Sequence, residues 1–294
     1  ALVATQTVRP NTADAAFHCM RIVAVSGGAS GNPDVQYVEL RMTASGQTLL
    51  GGHQLVFQDG SGTEKAAFTF PSNVSGFSTG SSILVATQEF YALTGLRPDF
   101  TFTTGTTVPA NGGDALHPVQ TTGGRVMFRE NPNSPSGTVA CHPQDNRPIG
   151  NVRVIDSVAY GSYPGGQNTD PDNPSFTGFG TPAASLPLGG SQALILTNAA
   201  VFINDSAEYT LMALPAAPNI PSISPPTSPR NNAGTTGSVP PDVDQDLAGD
   251  ASDNCASAAN PGQENYDEDS LGDACDPDDD GDGYSDAAES GTPL

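Results

Sequence analysis

Between residues 242 and 294 the chain carries 14 Asp and 3 Glu and not one Lys or Arg. A stretch this acidic repels itself and stays unfolded in water unless cations neutralise it. Its order must therefore come from bound positive charge. Residues 1–241 hold 15 acids against 10 bases, so most of the net charge of −22 sits in one segment and is not spread over a surface. No basic stripe exists to release counterions from phosphates, which argues against nucleic acid as a partner.

Aligned on their acids, these residues give three loops in one register. The first runs Asp242, Asp244, Asp246, Asp250, Asp253. The second runs Asn265, Asp267, Asp269, Asp273, Asp276, and the third Asp278, Asp280, Asp282, Asp286, Glu289. Oxygen-bearing side chains thus recur at positions 1, 3, 5, 9 and 12, the pattern of an EF-hand loop. Calcium takes six to eight hard oxygens at about 2.3–2.6 Å, and alternate residues of a tightly turning loop aim carboxylates at one centre. Position 7 lends its backbone carbonyl, here Ala248, Leu271 and Tyr284. Only the third loop has Gly at position 6 and Glu at position 12; Leu247 and Ser270 stand at position 6 of the other two. Magnesium, which rarely builds all-protein cages, is disfavoured, and Ca2+ is the expected ion.

The connecting residues Asp253-Asn254-Cys255, Asn260, Gln263 and Asp273-Ala274-Cys275-Asp276 resemble the thrombospondin type 3 repeat over about 242–289. That family wraps chain around calcium ions and joins successive repeats by disulfides. Four cysteines allow three pairings. Cys255 and Cys275 bracket half of the acidic segment and are read as one pair, which the resemblance supports; Cys19 and Cys141 are left as the other. Disulfides and calcium sites of this kind both belong outside the cell. The opening Ala1-Leu2-Val3-Ala4-Thr5 reads as the mature start of a secreted chain.

The rest of the chain reads as all-β, with 33 Gly and 26 Pro punctuating short apolar runs. Residues 1–16 form a polar arm and 17–215 a β-sandwich with long loops. Residues 216–241 make a Pro/Ser/Thr/Gly-rich linker that cannot supply a core, and 242–294 the calcium-wrapped tail. Strands are expected at Met20–Val25, Gln36–Met42, Gln54–Gln58, Ala66–Phe70, Ser82–Thr87, Arg125–Phe128, Arg153–Tyr160 and Ala193–Thr197. In the second, Val38, Leu40 and Met42 alternate with Tyr37, Glu39 and Arg41, the period of a half-buried strand. A helical turn at Phe90–Leu96 should stop at Pro98. Met20-Arg21-Ile22-Val23, Gln36-Tyr37-Val38-Glu39-Leu40, Val154-Ile155-Asp156-Ser157-Val158-Ala159-Tyr160-Gly161 and Asn204-Asp205-Ser206-Ala207-Glu208-Tyr209 resemble the lamin-tail domain of secreted bacterial proteins. The resemblance implies an immunoglobulin-like sandwich used for attachment or assembly.

No run approaches the ~18 apolar residues of a membrane span. Gly-x-Ser-x-Gly, His-Glu-x-x-His and phosphate-loop motifs are missing, and no catalytic or cofactor-binding residues beyond the calcium ligands are expected. The leading expectation is therefore a non-enzymatic, extracellular, calcium-stabilised structural protein. It would polymerise with itself into a surface filament or coat through the arm and the stiffened tail. A monomeric adhesion module for surface glycans or proteins is the alternative, and an accessory region of a secreted hydrolase the third reading.

Overall fold

The computed structural model describes residues 19–75, 78–102, 106–107, 113–130, 132, 147–149, 152–163, 181–187, 190, 192–198, 205–213 and 228–289. The expected arm at 1–16, Cys141, the first part of the linker and the last residues of the tail lie outside them.

Two six-stranded sheets face each other. Across the first, the order is β12 (Tyr209–Ala213), β11 (Gln192–Leu196), β1 (Met20–Ser26), β2 (Tyr37–Met42), β5 (Ser82–Ala86) and β6 (Phe100–Thr101). Across the second it is β7 (Thr106–Thr107), β4 (Glu64–Thr69), β3 (Gln54–Asp59), β8 (Gly123–Arg129), β10 (Val152–Gly161) and β9 (Arg147–Ile149). All neighbours are antiparallel except β5 and β6, whose parallel pairing is reached through helix α1 (Gln88–Thr94). The all-β sandwich is as expected. Pieces such as β6 and β7 are too short to display any period in the sequence.

Between the sheets lies the main core, where Ile22, Val38, Leu40 and Val85 meet Leu55, Phe57, Phe68, Val126 and Phe128. Phe68 and Phe70 pack edge to face at 5.0 Å, and Phe57 meets Phe102 the same way at 5.5 Å. Such pairs add about 0.5–1.5 kcal/mol each beyond area burial.

The sandwich also contains a closed ionic knot. Arg21 sends Nε to Asp156 Oδ2 at 3.1 Å and Nη2 to Glu208 Oε2 at 3.2 Å, all three side chains being almost wholly buried. Asp156 Oδ2 also accepts the N–H of Ile22 at 2.6 Å. Register shifts in β1 (between Ile22 and Ala24) and in β10 (between Val154 and Asp156) accompany this contact, tying the two sheets together where their ladders are irregular.

Strand β2 departs from the half-buried reading. Tyr37 and Glu39 are as buried as Val38 and Leu40, because the outer face of the first sheet is covered. Helix α1 supplies Phe90, Leu93 lies one turn on, and Leu96 follows the helix; together with Tyr37, Leu84, Ile195 and Val239 they make a second core. The Thr87 side chain caps α1 by accepting the N–H of Phe90 at 3.2 Å. The helix ends at Gly95, whose left-handed φ of 63° lets its N–H reach the Tyr91 carbonyl; Pro98 lies beyond this stop.

Residues 228–247, including the described part of the linker stretch, complete the cover. The Arg230 N–H reaches Glu39 Oε2 at 3.2 Å, the Asn232 N–H reaches Asp99 Oδ2 at 2.8 Å, and Asn232 Nδ2 donates to the Ser82 carbonyl at 3.2 Å. Composition predicted no core contribution from 216–241, yet Val239 is buried in the second core; Leu247, in the first acidic loop, packs against it as well. Two contacts of this strap use the backbone N–H groups of Arg230 and Asn232, which composition does not report.

Candidate metal centre

Each acidic loop is folded by its own side chains. The position-9 carboxylate accepts the position-2 N–H in every loop: Asp250 from Val243 at 2.8 Å, Asp273 from Tyr266 at 2.8 Å, Asp286 from Asp279 at 3.0 Å. The position-5 carboxylate accepts the position-7 N–H: Asp246 from Ala248 at 2.8 Å, Asp269 from Leu271 at 2.6 Å, Asp282 from Tyr284 at 2.8 Å. These ties curl the backbone so that alternate side chains point inward. Position 4 is left-handed throughout, with φ of 66° at Gln245, 61° at Glu268 and 67° at Gly281.

Three clusters result: Asp242 with Asp244 and Asp246, Asp267 with Asp269 and Asp276, and Asp278 with Asp280 and Asp282. Within each, one oxygen per carboxylate lies within 4.8 Å of the others. Two ligands on opposite sides of a calcium ion stand roughly 4.6–5.2 Å apart, so the spacing suits that ion. The first and third clusters use positions 1, 3 and 5, whereas the second uses 3, 5 and 12. The loops differ at position 6 for a related reason. Leu247 and Gly283 take φ of 78° and 91°, and their N–H groups reach Oδ2 of Asp242 and Asp278 at 3.1 and 3.0 Å. In the second loop Asn265 instead donates from Nδ2 to the Asp269 carbonyl at 3.1 Å. Asp250, Asp273 and Asp286 stand outside the clusters as loop fasteners, and Glu289 closes α3 (Asp286–Glu289).

The oxygens left over identify what is needed. Both carboxylate oxygens of Asp244, Oδ2 of Asp253, Oδ1 of Asn265 and Oδ1 of Asp278 are buried and receive no hydrogen bond. All four residues are ligand positions in the register. A buried carboxylate oxygen with no donor is costly, and a cation at the loop centre removes that cost. Asp242 is held above the usual carboxylate range by burial, with Asp246 adding to it. Asp279, on the exposed flank of the third loop, is raised by the charge of Asp286 and of further neighbouring aspartates. The donor set is therefore all oxygen, strongly anionic and self-repelling until a hard cation joins it.

Second-tier residues fix the first site. Asn260 gives its N–H to Asp246 Oδ2 at 2.8 Å, and Gln263 Nε2 donates to Asp253 Oδ1 at 2.9 Å. Asn254 links the two, taking Asn260 Nδ2 at 2.7 Å and giving its N–H to Gln263 Oε1 at 3.0 Å. The sequence displayed these three amides in the spacing around Cys255 without revealing what they hold. Cys255 and Cys275 are disulfide-bonded across 20 residues, with Cα atoms 5.7 Å apart. The bond joins the ends of the first two loops, since the Cys255 N–H also binds Asp253 Oδ1 at 2.8 Å and Cys275 adjoins Asp276. Cys19 is disulfide-bonded as well.

Burial falls along the tail. In the first cluster Asp242 and Asp246 are buried, whereas in the third Asp280 and Asp282 are exposed. Among the described residues no helix is long and apolar enough to cross a membrane. A search of curated proteins brings no match. Residues 241–263 and 264–289 each match the thrombospondin type 3 repeat, so the acidic tail is a calcium-binding module of the extracellular type.

Proposed function

We propose that the chain is a secreted, non-enzymatic structural protein that assembles with copies of itself into a surface filament or coat, its calcium-filled tail serving as the stiff connector. The carrying observation is the polarity of the tail. One end is fastened to the sandwich, while the other exposes the third carboxylate cluster together with Tyr284, which is 67% accessible. A connector needs those two properties: a rigid root and an end open to a neighbour. Calcium removes the repulsion that would keep two such acidic ends apart. The polar residues 1–16 would add to the edge of a neighbouring sheet. The sandwich fits the attachment role implied by its lamin-tail resemblance.

Sedimentation velocity of the full chain, in millimolar calcium and again after chelation, tests this. Large assemblies that shrink on chelation are expected. A monomer under both conditions would replace the polymer with a monomeric adhesion module that presents its sandwich on a calcium-stiffened stalk.

A further inference from the structure

The backbone is most strained where the tail meets the sandwich. Of five non-glycine residues with positive φ among the described residues, Ser30 (49°), Gln245 (66°) and Leu247 (78°) all lie at this contact. Such conformations persist only where surroundings over-determine them. Ser30 uses its conformation to donate Oγ to the Pro240 carbonyl at 2.9 Å. Gln245 lies over Gly31 so closely that a Cβ there would come within 2.9 Å of Nε2. Leu247 packs against the second core, to which Val239 belongs. The strap backbone at Gly237 runs against Leu96, with room for no Cβ.

One carboxylate holds the strained residues in place. Asp242 Oδ1 accepts the N–H of Gln245 at 2.8 Å and of Asp246 at 3.2 Å, and Oδ2 accepts that of Leu247 at 3.1 Å. Asp242 is also the first ligand position of the buried cluster, with Asp244 beside it offering two oxygens that no donor satisfies. The turn that binds the ion and the turn that grips the sandwich are thus one stretch of backbone, 242–247.

We infer that the first calcium loop is a metal-operated joint: an ion held by Asp242, Asp244 and Asp246 fixes Gln245 and Leu247 on the sandwich, while the ion of the third loop leaves that contact unaffected. Emptying the first loop leaves three crowded carboxylates without a counter-charge. The loop then relaxes its left-handed residues, and Leu247 leaves the second core. The tail swings on the strap at 228–241. The inference rests on calcium binding alone and not on self-assembly.

Linkage makes the device testable from both sides, because docking must strengthen calcium binding by the factor by which calcium strengthens docking. Amide hydrogen exchange of the full chain in excess calcium is compared for wild type, Asp244→Asn and Asp280→Asn. Asp244→Asn is expected to speed exchange at 28–33 and Phe90–Leu96 by about tenfold, with Asp280→Asn leaving both at wild-type rates. From the sandwich side, the double variant Ser30→Ala/Gly31→Ala touches no ligand. It should weaken calcium at the first loop, followed at the Gly249 amide by NMR titration, by on the order of five-fold, and leave the Gly283 titration unchanged. Unchanged bound-calcium stoichiometry in Asp244→Asn overturns the inference at the ligand. Wild-type exchange in that variant, equal effects of both single variants, or an unchanged first-loop affinity in the double variant overturns it at the joint.

Discussion

The sandwich and the tail both bury charge, and they neutralise it from different sources. In the sandwich these buried charges meet partners supplied by the chain: Arg21 answers Asp156 and Glu208, and Glu39 is answered by Ser82 Oγ at 2.5 Å, the Arg230 N–H and Arg41. In the tail, the oxygens of Asp244, Asp253, Asn265 and Asp278 are left for an ion from solution. The expected consequence is a sandwich whose strands hold without calcium and a tail of about fifty residues that needs it. Around fifty residues with almost no large apolar side chains cannot offset a backbone entropy of about 1–2 kcal/mol per residue. Each tenfold excess of calcium over its dissociation constant adds about 1.4 kcal/mol per site.

The most severe way to break this comparison is chelation. Removing calcium should abolish exchange protection over 242–289, while β1 to β5 and β8 keep theirs in the same sample. Equal protection of the tail with and without chelator would mean that its hydrogen bonds and single disulfide suffice, and the contrast would fall. The complementary lesion is Arg21→Ala, which leaves two buried carboxylates without their cation. It should cost about 3–5 kcal/mol in denaturant unfolding of the sandwich, and calcium affinity at the third loop should not move. A loss below about 1 kcal/mol would show that water or relaxation replaces the guanidinium.

How much of this was legible in the sequence follows the same divide. The tail was open to a local reading because its acids recur within twelve residues, and the carboxylates of Asp242, Asp244 and Asp246 lie within 4.8 Å of one another; the second cluster, built from Asp267, Asp269 and Asp276, uses other positions of the register. The main core was readable because β2, β5 and β10 carry their own patterns. The second core was not, since the residues covering Tyr37 and Glu39 come from α1 and from 228–247, far along the chain. A proline-rich stretch gives no periodic signal, and part of its grip rests on backbone donors at Arg230 and Asn232, which leave no mark in composition. Nor did the spacing show that position-9 acids serve as fasteners, because a side chain that closes a turn and one that holds an ion are the same residue type.

Acidity distinguishes the two regions at intermediate size. Burial pushes the Glu39 carboxyl from 4.5 up to about 7, against the pull of the Ser82 hydrogen bond, Arg41 and the Arg230 N–H. The folded chain therefore binds this proton more tightly than the unfolded chain. The stabilisation is fully present below pH 4.5 and is lost as pH rises through about 7, a change of up to about 3 kcal/mol. Glu39→Gln should flatten that part of the profile. In saturating calcium the difference between variant and wild type isolates Glu39 from the tail's own titration. A difference that does not change between pH 4.5 and 7 would show that Glu39 keeps its charge when folded.

The finest test separates two loops whose clustered aspartates stand at the same positions 1, 3 and 5. Position 6 must be left-handed for its N–H to reach the first aspartate. The third loop satisfies this with Gly283 at φ 91°, whereas the first forces Leu247 to φ 78° and recovers the cost by packing it on the second core. Gly283→Ala should cost about 1–2 kcal/mol, which is roughly tenfold in calcium affinity at the third loop. Leu247→Gly relaxes a comparable strain while removing a packed side chain, so the first-loop affinity should stay within about threefold of wild type. Calcium titration followed at the Gly249 and Gly283 regions reads both. If Gly283→Ala binds as wild type does, the left-handed turn is incidental to ion binding. Leu247 would then owe its conformation to the sandwich alone.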